Sequence, residues 1–209
     1  MIALVIGATG ATGFSLVQQL LEDTRFKEVV VFVRSGISLK HEKLVAHQVD
    51  FNNYETWAAL VQGDVAFSCL GTTLKQAGSK DNQWKVDYDY QYNFAQVASE
   101  NKVPTFVLVS AQGADPKSSM FYSRMKGELE VALSKLTFDN LVLLRPGLLQ
   151  RPNSDRFGER MVEGVLCFFN NLGMFKSYKP LPVSKLAATM IEKGTNPKGG
   201  IEKVVSNWQ

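Results

Sequence analysis

Tyr122 and Lys126 stand four residues apart in Tyr122-Ser123-Arg124-Met125-Lys126. On a helix that spacing puts both side chains on one face. An ammonium beside a phenol lowers its pKa from about 10 toward working pH. A phenol so tuned exchanges a proton with the oxygen of a carbonyl–alcohol pair while a hydride moves at the carbon. An amphipathic surface pair has the same spacing, so placement decides between the two. Tyr122 falls on the helix that follows the fifth apolar run of the chain, residues 105–109.

A hydride needs a carrier, and the first residues supply a candidate cradle for one. Ile6-Gly7-Ala8-Thr9-Gly10-Ala11-Thr12-Gly13 follows the apolar run 2–6 and precedes Phe14, Val17, Leu20 and Leu21 at helical spacing. Strand, glycine turn and helix form the context of a dinucleotide fingerprint. Gly7 permits the sharp turn, Gly10 lets backbone approach a pyrophosphate, and Gly13 lets the helix pack on the strand. Thr9, Ala11 and Thr12 fill the loop and open the helix, whose free N–H groups favour phosphate. Proteins that bind NAD place an acid at the end of the second strand to hold the ribose. Here that place holds Val33-Arg34-Ser35, and Glu28 lies at the other end of the strand. A guanidinium suits a 2′-phosphate, so NADP(H) is the expected cofactor, read by Arg34 with help from Ser35.

The elements that must position these residues alternate. Strands are expected at 2–6, 28–33, 44–49, 65–69, 105–109 and 141–144, and helices at 12–21, 53–60, 83–100 and 119–136. Val86, Tyr90, Phe94 and Val97 make a core stripe in one helix, and Met125, Leu129, Leu133 and Leu136 in the next. Such alternation predicts an α/β fold with a doubly wound parallel sheet and right-handed crossovers. The ligand then lies at the carboxyl ends of the strands, where strand order reverses. A last helix, 183–193, and a last strand, 201–205, return to the sheet. Between them and Pro146-Gly147, about residues 148–182 read as a small cap within one domain spanning 1–209. Its apolar cluster, Leu166, Phe168, Phe169, Leu172, Met174 and Phe175, serves either as core packing or as a substrate wall. Arg151, Arg156 and Arg160 read foremost as solvated or paired surface residues.

The chain has 209 residues, 45% of them apolar and 21% charged, with a net charge of +3. That balance fits a globular domain and is too mild for nucleic acid. A small-molecule partner is expected, an apolar carbonyl or alcohol, with a protein partner left open. No run reaches the roughly 18 apolar residues of a membrane span. The start lacks the basic flank of a signal peptide. Cys69 and Cys167 sit in apolar runs without ligand spacing, so both read as buried thiols in a reducing compartment, taken as the cytoplasm.

Several strings in order carry a resemblance: Gly7-x-x-Gly10-x-x-Gly13, Val49-Asp50-Phe51, Cys69-Leu70-Gly71-Thr72-Thr73, Val86-Asp87-Tyr88-Asp89-Tyr90, Gly113-Ala114-Asp115, Tyr122 to Glu128, and Leu144-Arg145-Pro146-Gly147. Together they resemble the Tat-interacting-protein-like oxidoreductases, an atypical branch of the short-chain dehydrogenases/reductases. The resemblance runs from about residue 2 to 190. It implies a single Rossmann-like domain binding NADPH. It implies that Asp50 and Phe51 bracket adenine, that Leu70, Gly71, Thr72 and Thr73 lay backbone against the cofactor, and that Pro146 and Gly147 meet the carboxamide. Tyr122 and Lys126 become the catalytic pair, with Lys126 on the nicotinamide ribose and Ser110 orienting the reacting carbonyl. Two residues depart from the pattern: Ala111 stands where many relatives have a second serine, and Asp87 where many have asparagine. They motivate a second reading, a protein that senses NADP(H) for a regulatory partner without turnover.

Overall fold

The computed structural model describes residues 1–150 and 180–205. Six strands, β1 (Ile2–Ile6), β2 (Glu28–Val33), β3 (Leu44–Gln48), β4 (Val65–Ser68), β5 (Thr105–Val109) and β6 (Asn140–Arg145), join one sheet. Leu149–Gln150 and Leu181–Pro182, β7 and β8, pair as a short separate ribbon, and β9 (Gly200–Val205) returns to the main sheet. The seven-stranded order is β3-β2-β1-β4-β5-β6-β9, and every pairing is parallel. The doubly wound expectation therefore holds.

Alternation along each buried strand feeds two cores. Ala3 and Val5 of β1 join Leu16, Val17 and Leu20 of helix α1 (Ala11–Glu22) on one face, with Leu186 and Met190 of α6 (Val183–Thr195). Leu4 and Ile6 turn to the other face, against Phe94 of α4 (Tyr90–Glu100) and Leu129 of α5 (Phe121–Leu133). Helices on both faces explain why the strands read as unbroken apolar runs.

Three expectations are corrected in detail. Residues 53–60 form two 3₁₀ turns, Tyr54–Thr56 and Ala58–Leu60, rather than an α-helix. There Asp50 gathers the amide of Asn52 and the side chains of Asn52 and Asn53 at 2.6–2.9 Å, a local competitor to helix formation. The helix expected at 83–100 is α3 (Lys80–Trp84) running into α4 through a π turn, Lys85–Asp89. One extra residue in that turn shifts the buried stripe, so Gln83, Asp87, Gln91 and Phe94 face inward while Val86 and Tyr90 stay half-buried. The third concerns Cys69, which is a half-buried free thiol with Sγ 3.9 Å from Met190 Sδ. Most of the expected cap, with its phenylalanine cluster, Arg151, Arg156, Arg160 and Cys167, lies outside the described residues.

Candidate functional site

Strand order reverses between β1 and β4, and the glycine loop leaves β1 at that point. Gly7 has φ +80°, and a Cβ there would stand 2.5 Å from the Cys69 carbonyl carbon and 2.7 Å from the Leu70 nitrogen. The loop and the end of β4 thus touch backbone to backbone, helped by the Cys69 amide donating to the Ile6 carbonyl at 3.0 Å. A Cβ on Gly13 would fall onto the Gly7 carbonyl, 2.7 Å from its carbon. Gly10 differs: its nearest neighbour, Gly7 O, would be 3.4 Å away, and its residue is exposed. It caps α1 with φ −78° and ψ 164°, no side chain capping the helix. Two glycines close the loop and the middle one leaves space in front of free N–H groups, as a bound pyrophosphate requires.

Arg34 and Ser35 lie exposed at the end of β2. The Arg34 carbonyl accepts from Gln48 Nε2 at 3.3 Å. The Arg34 charge acts on the phenol of Tyr90, whose hydroxyl donates to Asn52 Oδ1 at 2.9 Å. Phe51 is buried beneath this corner, 5.4 Å from Tyr90 and 5.6 Å from Trp57 between ring centroids. Asp50, exposed and ionised below the usual carboxylate range by the Asn52 amide, shapes the turn beside them. Arg34, Asp50 and Tyr90 therefore share one corner. Sequence periodicity had placed Tyr90 in the core stripe instead.

Leu70, Gly71, Thr72 and Thr73 leave β4 as a loop. Thr73 Oγ1 accepts from the Gln76 amide and caps a short helix, α2 (Leu74–Ala77). The Thr72 amide donates to Asp87 Oδ2 at 2.8 Å. Asp87 is fully buried, and its Oδ1 lies 3.3 Å from Nζ of Lys126, which is 1% exposed. The contact is an ion pair, and neither Oδ1 nor Nζ has a hydrogen-bond partner beyond it. Burial raises the Asp87 carboxyl above its ordinary range, and Lys126 opposes the shift.

Tyr122 and Lys126 do share a face of α5, with Nζ 5.9 Å from the Tyr122 ring centroid. Tyr122 is 42% exposed as a residue. Its phenol is raised from the ordinary value, first by the protein crowded around it, while Lys126 lowers it and Asp87 raises it. The sequence expected Lys126 to prevail. The buried carboxylate facing Lys126 is one reason it does not. The next residue, Gly127, serves the packing around the pair. A Cβ there would meet the backbone of Asp115 and Pro116, 2.7 Å from the Asp115 Cα. The glycine lets the loop after β5 cross α5 beside the pair.

Ser110 is engaged by Glu130. It is 5% exposed and donates to Glu130 Oε1 at 2.5 Å. Glu130 lies eight residues beyond Tyr122 on α5, roughly 12 Å along the axis. Arg145 closes the network by donating to both oxygens of Glu130, at 2.9 and 2.5 Å. Arg145 precedes Pro146-Gly147, whose Pro146 carbonyl accepts from the Gln112 amide at 2.9 Å. Sequence reasoning missed Glu130. Its signal was a lone carboxylate on the buried face of a helix, adjoining Leu129.

The NAD(P)H-binding family profile matches residues 7–157. The chain is 32% identical to FMP52-1 of Scheffersomyces stipitis over 94% of this chain and 92% of that protein. It is 32% identical to HTATIP2 of Rattus norvegicus over 97% of this chain and 85% of the relative. The WbmH enzyme of Bordetella bronchiseptica, solved with NAD+, superposes with a TM-score of 0.71 at 17% identity, covering 96% of this chain and 74% of WbmH. The oxidoreductase ylbE of Lactococcus lactis also gives 0.71 at 17% identity, covering 97% and 90%. These similarities support a nicotinamide cofactor on an oxidoreductase-type fold. They overturn the expectation of a cytoplasmic protein: the relatives from S. stipitis, Candida albicans, Saccharomyces cerevisiae and Eremothecium gossypii are all named as mitochondrial. Among the described residues, no helix is long and apolar enough to cross a membrane.

Proposed function

This chain belongs to the NAD(P)H-binding family that includes HTATIP2 and FMP52, and we propose that it is an NADPH-dependent oxidoreductase acting on a small carbonyl or alcohol. The observation that carries this reading is Lys126: a buried ammonium whose counter-charge is Asp87 at 3.3 Å but which makes no hydrogen bond, on the same helix face as the exposed Tyr122. A buried donor left without a hydrogen bond is costly, and ribose hydroxyls of a bound dinucleotide are suitable acceptors for it.

The residues divide the work. Gly7, Gly10 and Gly13, with Thr9, Ala11 and Thr12, hold the pyrophosphate against the start of α1. Arg34 and Ser35 read the 2′-phosphate, with Asp50 and Phe51 shaping the adenine side. Leu70 to Thr73 and Pro146-Gly147 offer backbone along the nicotinamide half. The bound nicotinamide supplies the hydride. Tyr122 gives its proton to the carbonyl oxygen as that oxygen gains charge, and recovers one from solvent. Lys126 holds the ribose and steadies the phenolate left behind. Ser110 enters as the anchor of Glu130 rather than as a contact to substrate.

Titration of the protein with NADPH and NADH, followed by a panel of aldehydes, ketones and quinones, tests this. Tighter NADPH binding and oxidation that Tyr122→Phe abolishes support it. In Arg34→Ala, loss of one charge-assisted contact of about 1.5–3 kcal/mol weakens NADPH roughly ten- to hundredfold and leaves NADH unchanged. Tight binding without turnover across the panel would transfer the case to a nucleotide sensor. Turnover unchanged in Tyr122→Phe would end the proton-transfer assignment.

A further inference from the structure

We propose that Asp87 is a positioning residue that keeps Tyr122 in its proton-donating form by neutralising Lys126, biasing the site toward carbonyl reduction. The inference rests on the reading of Tyr122 and Lys126 as the proton-transfer pair.

The geometry comes from the π turn. Inserted between α3 and α4, it rotates Asp87 inward and aims the carboxylate at α5. The residue is fixed from several sides. Oδ2 takes the Thr72 amide at 2.8 Å, and the Asp87 carbonyl takes Gln91 Nε2 at 2.7 Å. Gln91 is itself held by Ser68, whose hydroxyl donates to Gln91 Oε1 at 2.7 Å. Ser68 ends β4, so the sheet, through Gln91, fixes the Asp87 backbone while the loop after β4 fixes its carboxylate.

The electrostatic consequence concerns Tyr122. An unopposed ammonium beside a phenol favours phenolate, the form that accepts a proton from an alcohol. A buried carboxylate 3.3 Å from that ammonium cancels much of its field at the phenol. Burial raises the Tyr122 phenol first; of the charged groups acting on it, Lys126 from its own helix lowers it and Asp87 from the π turn raises it, so Asp87 opposes Lys126 at the phenol. Lys126 is likewise the charged group acting on Asp87. Asparagine at this position would preserve an oxygen for the Thr72 amide while removing the charge. Asp87 thus does two separable things: it fixes the loop by hydrogen bonding and tunes the pair by charge.

The test reads the phenol directly, without cofactor or turnover, so its outcome is independent of whether any substrate is found. Ultraviolet difference absorbance on alkaline titration, wild type minus Tyr122→Phe, isolates the Tyr122 phenolate. In the wild type, it is expected to form above the ordinary value of about 10. In Asp87→Asn, against Asp87→Asn/Tyr122→Phe, the acid constant of Tyr122 should rise about tenfold or more. A purely structural Asp87 would change the melting temperature and leave this titration in place, and that result overturns the proposal. If Asp87→Asn does not fold, Asp87→Ser, whose hydroxyl can still accept from the Thr72 amide, carries the same test: an unchanged Tyr122 titration overturns the proposal and a rise of about tenfold in its acid constant supports it. Should the titration shift as expected while no substrate turns over, the proposed function fails and the tuning of Tyr122 stands.

Discussion

The Ser110 hydroxyl donates a hydrogen bond to Glu130 across 2.5 Å, and Glu130 is gripped on both oxygens by Arg145. Ser110 follows β5, Glu130 lies in the last turn of α5 and Arg145 ends β6, so the network ties α5 to the sheet. Ser110→Ala removes one hydrogen bond to a charged acceptor and should cost about 1.5–3 kcal/mol. Glu130→Ala removes the partner of a largely buried guanidinium and should cost about 3 kcal/mol, the low end of the range because Arg145 is 21% exposed. Urea unfolding measures both. NADPH turnover by folded Ser110→Ala should stay within about threefold of wild type, since the serine supports the helix from a distance. A loss as deep as that of Tyr122→Phe would return Ser110 to the reacting oxygen.

Gly127 gives a sharper structural test. Its missing Cβ makes room for the Asp115–Pro116 backbone, which cannot rotate aside as a side chain would. Overpacking commonly costs about 1–3 kcal/mol, and a clash with main chain belongs at or above the top of that range. Gly127→Ala should therefore lower thermal stability. It should also weaken NADPH binding, because the displaced loop lies beside Lys126. Calorimetry and a binding titration on the same sample report the two effects together.

Asp23 supplies the pH dependence. It accepts from the Arg25 amide at 2.9 Å and from Arg25 Nε at 3.0 Å, while Arg25 Nη1 reaches Thr195 on α6 at 2.8 Å. The Arg25 side chain holds the Asp23 carboxyl below its ordinary value of 3.8. A lowered folded-state pKa means the native protein binds that proton less tightly than the unfolded chain. The stabilisation is present above the unfolded value and is lost as pH falls through the lowered one. Arg25 is 48% exposed, so solvent screening limits the effect to under about 1 kcal/mol. Asp23→Asn should be slightly less stable than wild type near neutral pH. The difference should close below the ordinary carboxylate range, as paired urea curves at the two pH values would show.

What the sequence made legible follows from what repeats. The strand positions, the parallel doubly wound sheet and the shared helix face of Tyr122 and Lys126 rest on periodicity and on fixed spacings, and each appeared where expected. The π turn was hidden because one inserted residue leaves no compositional mark, yet it displaces Val86 and Tyr90 from the stripe while Phe94 and Val97 stay buried. That shift moved Asp87 inward and left Tyr90 half-buried with its hydroxyl on Asn52. The Glu130 partner of Ser110 was hidden for a different reason. The position of Ser110 at a strand end was right, but its partner depended on a carboxylate twenty residues away in sequence. Long-range polar pairing of this kind has no local pattern to read.

The glycine loop allows binding to be separated from folding within a single motif. A Cβ on Gly10 would meet nothing closer than 3.4 Å, and its φ of −78° suits alanine. A Cβ on Gly13 would strike the Gly7 carbonyl. Gly10→Ala should therefore fold with a loss of about 1 kcal/mol or less, the difference between glycine and alanine as a helix cap. Its methyl group would nevertheless project into the space where a pyrophosphate approaches the N–H groups of α1, so NADPH affinity should fall at least about tenfold. Gly13→Ala should lose stability and affinity together, because relieving the clash requires the loop and helix to part. Melting temperatures and NADPH titrations of the two variants distinguish these cases. If Gly10→Ala kept full affinity, the space in front of Gly10 would not be the phosphate site, and the cofactor would have to enter elsewhere on the strand ends.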